Sequence, residues 1–197
     1  MVVGDHNETW RRVEETVNEA LGGLVKELIV IGGDSTSSYA TFRGGLRRAV
    51  NGGLAYVLLD AHPDVRVVTE GLTSGQVIRW IRDVDPNAYI AIIGVRAHSN
   101  APYLFSEARK LGVNVYTIDQ VDSMGVDAVI NEVMNNVGNR TVHISINLDV
   151  VDPAFAPGVN SPSPGGFTSR EVIRLIRELG VRLRPRVFDV VEVTPAL

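Results

Sequence analysis

Short apolar runs alternate with segments of helical periodicity along almost the whole 197-residue chain. The apolar runs predict strands at 28–31, 55–59, 89–93, 113–118, 142–148 and 186–193. The intervening segments predict helices at 10–21, 39–50, 74–81, 102–111 and 126–137, and from 168 onward. Strands without a polar face, separated by helices, are typical of a parallel sheet that helices cover on both faces. We therefore expect one α/β domain over residues 1–197.

Composition excludes several classes of function. Apolar residues make up 45% of the chain and charged residues 21%, with a net charge of −4 and no basic cluster, so nucleic acid is not an expected partner. The chain contains no cysteine, which rules out disulfides and thiolate metal sites. It has neither a secretory leader pattern nor a membrane-length apolar run, and we expect no membrane partner and a cytoplasmic location.

Acidic residues follow four of the predicted strands. Asp34 comes after the first strand, Asp60 after the second and Asp149 after the fifth, and Glu192 lies near the end of the sixth. The carboxyl ends of parallel strands form the edge at which such folds bind ligands. Carboxylates gathered there repel one another, so the pattern predicts a bound cation or shared protons.

The segment 60–64 (DAHPD) is the clearest candidate for a metal site. In an extended segment, side chains alternate, so Asp60, His62 and Asp64 would lie on one side. Two carboxylates and an imidazole suit a divalent cation. The alternative is a strand end that carries solvated charges, and we favour the metal because other acidic residues belong to the same edge.

The segment 150–167 is the longest irregular stretch and is rich in proline, glycine and serine. It directly follows Asp149. Long loops in compact domains are often functional, and a rigid surface loop is the alternative.

Five short motifs together resemble those of the ureohydrolases, the arginase and agmatinase superfamily. They are GGD at 32–34, DAHPD at 60–64, GVR at 94–96, NLDVVDP at 147–153 and FDVVEVTP at 188–195. Their order and spacing extend from about residue 28 to the end of the chain. The resemblance implies a three-layer α/β/α sandwich with a mostly parallel sheet. It also implies two manganese ions that activate a bridging hydroxide, which releases urea from a guanidinium group.

The sequence departs from the family pattern at three positions. Ser35 stands where the glycine-rich motif normally continues with a histidine ligand. Asn147 stands where an aspartate is expected to bridge the two metals. Ser74, followed by Gly75, is the nearest match to a His-Gly pair whose histidine shuttles protons.

The resemblance assigns metal-ligand positions to Asp60, His62, Asp64 and Asp149, and Asn147 could add its carbonyl oxygen. One metal position would then keep only Asp60 and Asp64, and the other Asp60, His62 and Asp149. We therefore expect at most one manganese ion. The alternative is a site without metal, in which Asn147 and Ser35 donate hydrogen bonds to the carboxylates.

Catalytic and substrate roles also follow from the resemblance. Glu192 matches the glutamate that binds the substrate guanidinium, and we predict catalytic roles for Glu192 and Asp64. Arg66 lies two residues after the DAHPD motif, where it could contact substrate, bind a carboxylate, or pair with Glu70.

The sequence also predicts the environments of two further histidines. His98 lies beyond the third strand, where a solvated loop histidine is favoured over a replacement ligand or base. His143 lies deeper in the fifth strand than Asn147, which indicates a core residue.

Two functions remain open at this point. The favoured one is a catalytically impaired family member that acts as a binding or assembly protein. The alternative is a hydrolase of a guanidino or amidino C–N bond that uses one divalent ion. The chain is also short for the family at both ends. We expect exposed apolar sheet surface, covered by a homo-oligomer or by assembly with a paralogue.

Overall fold

The computed structural model describes residues 4–46, 48, 49 and 53–194, and contains one sheet of six parallel strands. The strands are β1 (Leu28–Ile31), β2 (Leu54–Leu59), β3 (Tyr89–Val95), β4 (Asn114–Thr117), β5 (Thr141–Asn147) and β6 (Val187–Val191). Their spatial order is β1-β6-β5-β2-β3-β4. The helices are α1 (His6–Gly22), α2 (Thr36–Leu46), α3 (Val77–Val84), α4 (Pro102–Lys110), α5 (Ile118–Met124), α6 (Val126–Val137) and α7 (Ser169–Leu183). The predicted parallel sheet is confirmed.

Helices cover both faces of the sheet and produce two large apolar cores. On one face, α5, α6 and α7 pack against side chains that include Val57, Ile93 and Ile144. On the other, α2, α3 and α4 pack against side chains that include Tyr56 and Ile92. All six residues of β2 are buried, which explains why its sequence shows no polar alternation. The three-layer arrangement implied by the family motifs is therefore present.

Several element boundaries differ from the sequence prediction. Ile118 does not end β4 but begins α5, because Thr117 and Gln120 form a reciprocal capping box there. The segment from Ser74 begins with a 3₁₀ turn, and α3 starts only at Val77. Helix α2 covers Thr36–Leu46 instead of 39–50, and Val50 lies outside the described residues. The predicted capping box at Thr168 is confirmed.

The β1 edge of the sheet leaves apolar side chains in solvent. Leu28 and Val30 pack with α1, whereas Ile29 and Ile31 point to the opposite face and are 70% and 76% exposed. Exposed apolar sheet surface was expected from the sequence and is confirmed. Whether another copy or a paralogue covers it stays a prediction. Among the described helices, none combines the length and apolar character needed to cross a membrane.

Candidate metal centre

The candidate site lies at the carboxyl edge, over the central strands β5 and β2. Asp60 directly follows β2, and Asn147 is the last residue of β5. Asp149 lies in the 3₁₀ turn Leu148–Val150 that follows β5. Ser35 comes after β1 and Glu192 after β6, so four neighbouring strands contribute to one site.

Asp60, His62 and Asp149 form a compact set of possible metal ligands. One ligand atom from each lies within 4.8 Å of the others. His62 Nδ1 lies 3.1 Å from Asp149 Oδ2 and 3.4 Å from Asp60 Oδ1. The main-chain N–H of His62 also donates to Asp60 Oδ1 at 2.6 Å. Backbone and imidazole thus hold the two carboxylates in a fixed position.

Asp64 is not part of this three-atom cluster. Its backbone has a φ of +48°, a left-handed conformation that is rare outside glycine. The extended geometry from which three ligands were predicted on one side is therefore wrong for this loop. Asp64 still lines the same cavity, and its role as a ligand stays a prediction.

The side-chain amide of Asn147 is engaged at both ends. Its Nδ2 donates to Asp60 Oδ2 at 2.8 Å, and its Oδ1 accepts the N–H of Asp149 at 3.0 Å. Asn147 is 3% exposed. The predicted hydrogen bond from Asn147 to a carboxylate is confirmed, and in this arrangement its carbonyl oxygen serves the backbone.

Ser35, which stands at another position where the sequence departs from the family pattern, contacts Glu192. The main-chain N–H of Ser35 donates to Glu192 Oε1 at 2.8 Å, and its Oγ lies 3.1 Å from the same oxygen. Glu192 has a φ of +66°, and its N–H donates to the carbonyl of Gly33 at 2.7 Å. Left-handed backbone at both Asp64 and Glu192 is typical of a site where the fold stores local strain.

Burial and mutual repulsion shift the pKa values of the acidic groups. Burial, with the nearby charge of Asp149, raises the pKa of Asp60 to about 7. Burial, with the charges of Asp60 and Asp149, raises the pKa of Asp64 well above its usual value. Burial also raises the pKa of Glu192, although its hydrogen bonds from Ser35 act in the opposite direction.

His62 compensates part of this negative charge. Burial lowers the pKa of its imidazole, but the hydrogen bonds and charges of Asp149 and Asp60 outweigh burial and raise it to about 10. The protonated imidazole therefore takes the position of a counter-ion. A divalent cation would fulfil the same requirement more strongly.

These groups open into a polar cavity of about 160 Å³. Its lining consists of Ser35, His62, Asp64, Arg66, Thr73, Ser74, Gly75, Asn147, Asp149, Asn160, Ser161 and Glu192. Asn160 and Ser161 bring the segment 150–167 to this cavity, and a functional role for the segment stays a prediction. Periodicity gave no means of singling out these two residues or Thr73. The larger hollow of about 500 Å³ beside β4 has no acidic lining residue.

Arg96 braces the two loops that carry the ligands. It is fully buried and donates to the carbonyls of Gly94 and Val150, the latter at 2.7 Å. Its main-chain N–H donates to the carbonyl of Ala61 at 3.0 Å. Gly94 has a φ of +104°, and a Cβ there would lie 2.6 Å from Val150. The GVR motif therefore positions the site without lining it.

A second polar cluster lies under the site, in the core. His143 Nε2 lies 2.6 Å from Asp189 Oδ2, and Ser145 and Ser38 both donate to Asp189 Oδ1. His143 is 1% exposed. The interpretation of His143 as a core histidine with a partner is confirmed.

Some candidate residues do not reach the cavity. His98 is exposed, as expected for a solvated loop residue. Asp34 is exposed and accepts hydrogen bonds from Thr36 at the start of α2. Within the described residues, Arg66 forms no ion pair with Glu70. Arg66 instead lines the cavity, where a contact with substrate stays a prediction.

The donor set fits a divalent cation. Ligand atoms of two carboxylates and one imidazole lie within 4.8 Å of one another, and Asp64 lines the same cavity. Carboxylate and imidazole donors are compatible with manganese.

Fold and site together define a parallel α/β protein whose acidic edge carries a possible set of metal ligands. The model of the arginase family matches residues 1–197, and the chain belongs to this family. Proclavaminate amidinohydrolase of Streptomyces clavuligerus is 40% identical over 189 residues, which cover 92% of this chain and 59% of that protein. Formimidoylglutamase of Bacillus subtilis is 29% identical over 174 residues, 86% of this chain and 54% of that protein.

Solved structures agree with this assignment. The Streptomyces clavuligerus enzyme superposes with a TM-score of 0.84 at 34% identity, covering 99% of this chain and 65% of that one. The Bacillus subtilis formimidoylglutamase gives 0.88 at 26% identity, covering 100% and 63%. The chain thus spans somewhat more than half the length of these relatives.

Proposed function

We propose that this chain binds one manganese ion and a small amidino or guanidino compound, and that it hydrolyses the compound poorly or not at all. The observation that carries the proposal is the hydrogen bond from Asn147 Nδ2 to Asp60 Oδ2. It places a neutral donor where the family resemblance calls for a carboxylate shared by two ions.

The second metal position would lack donors. Asp60 Oδ2 accepts a hydrogen bond from the neutral amide of Asn147, where a bridging carboxylate would have supplied a further donor atom to the second ion. Ser35 replaces a histidine and is directed to Glu192. Only Asp64 remains on that side, and one carboxylate beside a shared neighbour is a weak site for a second dication.

The first position keeps its donors. Asp60, His62 and Asp149 would hold the ion, with Asp64 at its side. A bound divalent ion supplies Lewis acidity and lowers the pKa of bound water. The chain's own contribution is to hold Asp149 through the main-chain N–H of Ala61 and to present a pocket lined by buried carboxylates.

The cavity suits a cation at its floor and an anion at its mouth. Glu192 and Asp64 offer carboxylates to an amidino group, and Arg66 offers a guanidinium to a carboxylate. The names of the relatives indicate amidino and formimidoyl compounds, which agrees with this polarity. We therefore propose an amidino or formimidoyl compound that also carries a carboxylate.

A second function, hydrolysis with a single ion, is favoured by Asp64. This residue is buried, lines the cavity, and has a raised pKa, which are properties of a general acid or base. Glu192 would then orient the amidino group for attack.

Turnover of the manganese-loaded protein distinguishes the impaired binding protein from the single-ion hydrolase. Release of urea from arginine and agmatine, and of formamide from N-formimidoyl amino acids, would be measured for the native chain and for Ser35→His, Asn147→Asp and the double variant. We expect turnover in the double variant and none in the native chain. Ser161→His, a matched change at another cavity position, should stay inactive.

Turnover by the native chain that Asp64→Asn removes would establish the single-ion hydrolase instead. Binding is measured separately, by calorimetry with the same compounds. No binding by the native chain, and no effect of Glu192→Gln, would contradict the proposed ligand class.

A further inference from the structure

Arg66, which lines the cavity, is held in place by the segment that leads into α3. Its main-chain N–H donates to the carbonyl of Gly75 at 2.8 Å. Its side chain then runs across the same glycine, because a Cβ added to Gly75 would lie 2.9 Å from Arg66 Cδ and 3.0 Å from Arg66 Nε. A side chain at position 75 would therefore displace the guanidinium of Arg66 from its place at the cavity wall.

Arg79, on α3, holds the backbone of Arg66 from the other side. Its Nε–H is shared by the carbonyls of Val65 and Arg66, at 2.8 and 3.1 Å. Its Nη2 forms an ion pair with Glu107 of α4. Val65 is fully buried, so loss of Arg79 would remove a hydrogen bond from a buried carbonyl, which is unfavourable. One side chain thus connects both helices to the loop.

The same helix holds the left-handed backbone of Asp64. The carbonyl of Asp64 accepts the N–H of Ile78, in the first turn of α3, at 3.1 Å. Three consecutive residues, 64–66, are therefore hydrogen-bonded to the segment 75–79. Strained backbone persists where the surrounding structure over-determines it. The conformation of 64–66 is thus fixed by contacts with α3 and with the turn before it.

We propose that Gly75 and Arg79 are positioning residues that make the cavity select ligands with a carboxylate. This selection rests on the ligand class proposed above, in which Arg66 binds the carboxylate. A guanidinium binds a carboxylate best through two parallel hydrogen bonds, so its orientation decides the affinity. Arg79 fixes the main chain from which Arg66 projects, and Gly75 leaves the space along which its side chain lies.

Arginine and agmatine separate this role from a general effect on the fold, because both carry a guanidino group and only arginine carries a carboxylate. Binding to the manganese-loaded protein is measured by calorimetry. In both Gly75→Ala and Arg79→Gln, the dissociation constant of arginine should rise about tenfold, and that of agmatine should stay unchanged. Equal losses for the two compounds, or no loss for arginine, would overturn the proposal.

Arg82→Gln is the matched control for Arg79→Gln. Arg82 lies on the same helix, and its Nη1 also donates to two carbonyls, of Pro86 at 2.7 Å and of Ala88 at 2.9 Å. Neither carbonyl belongs to the cavity. The ratio of the arginine and agmatine dissociation constants should therefore stay at its native value. A change of that ratio equal to the change in Arg79→Gln would show that any damage to α3 suffices, and would overturn the proposal.

Amide hydrogen exchange tests the positioning without any ligand. The N–H groups of Arg66 and Ile78 should exchange about tenfold faster in Arg79→Gln and at the native rate in Arg82→Gln. Unchanged exchange in Arg79→Gln would overturn the positioning role, whichever compound binds. A native chain that binds neither arginine nor agmatine would instead contradict the proposed ligand class, and with it the selection of a carboxylate.

Discussion

The two sides of the acidic pocket compensate buried negative charge in different ways. On the side of His62 and Asp149, carboxylates converge with an imidazole in a geometry that suits a cation. On the side of Ser35 and Asn147, neutral side chains donate hydrogen bonds to Glu192 and Asp60. The backbone carries both arrangements on the same four strands, so side-chain identity alone separates a metal position from a polar network.

The two sides differ in how many hydrogen bonds their carboxylates accept. Asn147 and Ser35 stabilise the carboxylates that they contact, as buried polar groups require. Asp64 and Asp149 receive less of this help, and Asp149 relies on the imidazole and one N–H group. A cation should therefore matter most at the cluster of Asp60, His62 and Asp149, with Asp64 lining the cavity beside it.

The largest effect is expected from Asp149→Asn, which removes a charged ligand from the first side. Manganese affinity should fall by about a hundredfold or more, because an amide is a far weaker donor. Isothermal titration with manganese measures this. Asp34→Asn, the same change at an exposed acid near the pocket, is the control and should leave affinity unchanged.

Asn147→Asp tests the side of the pocket on which neutral side chains donate hydrogen bonds to the carboxylates. Without metal, the new carboxylate would repel Asp60 and destabilise the folded state by about 3 kcal/mol. With manganese, the loss should be recovered. Urea unfolding with and without manganese measures both values, and Asn160→Asp in the same cavity is the control. Equal stability of Asn147→Asp and the native chain without metal would contradict the assigned hydrogen bond.

Stability of the metal-free protein should fall as pH rises through about 7. The folded-state pKa of Asp60 is raised, so its contribution is fully present below the ordinary carboxyl pKa and is lost as pH passes the folded value. His62, whose pKa is also raised, acts in the same direction up to about 10. For Asp60, the loss should be about 4 kcal/mol and should occur between about pH 4 and pH 7. Chemical unfolding at a series of pH values with a chelator tests it, and Asp60→Asn should flatten the profile.

The smallest effect is expected from Ser35→Ala. The hydroxyl contributes one hydrogen bond to Glu192, while the Ser35 N–H remains, so stability should fall by about 1 kcal/mol. Thermal unfolding measures it beside Ser161→Ala, for which we expect little change. A loss well above that value would mean that the hydroxyl does more than hold Glu192.

The sequence predicted the parts of the site that depend on local pattern. Apolar strands placed Asp60, Asp149 and Glu192 at one edge, since parallel strands end on the same side. Alternation failed for Asp64, because the chain leaves the extended conformation directly after Asp60. Asn160 could not be placed, since the path of a long loop depends on tertiary contacts.

In the fold as well, features set by local pattern were predictable and features set by tertiary contacts were not. Strand order follows from connections that a pattern does not encode, so the neighbours of β1 were not predictable. Helix α5 was missed because its first residue, Ile118, continues the apolar run of β4, and only the capping box at Thr117 separates the two.

The number of manganese ions per chain tests the central claim most directly. Native mass spectrometry of the manganese-loaded protein would count them for the native chain and for the Ser35→His, Asn147→Asp double variant. The account predicts one ion in the native chain and two in the double variant. Two ions in the native chain would contradict it.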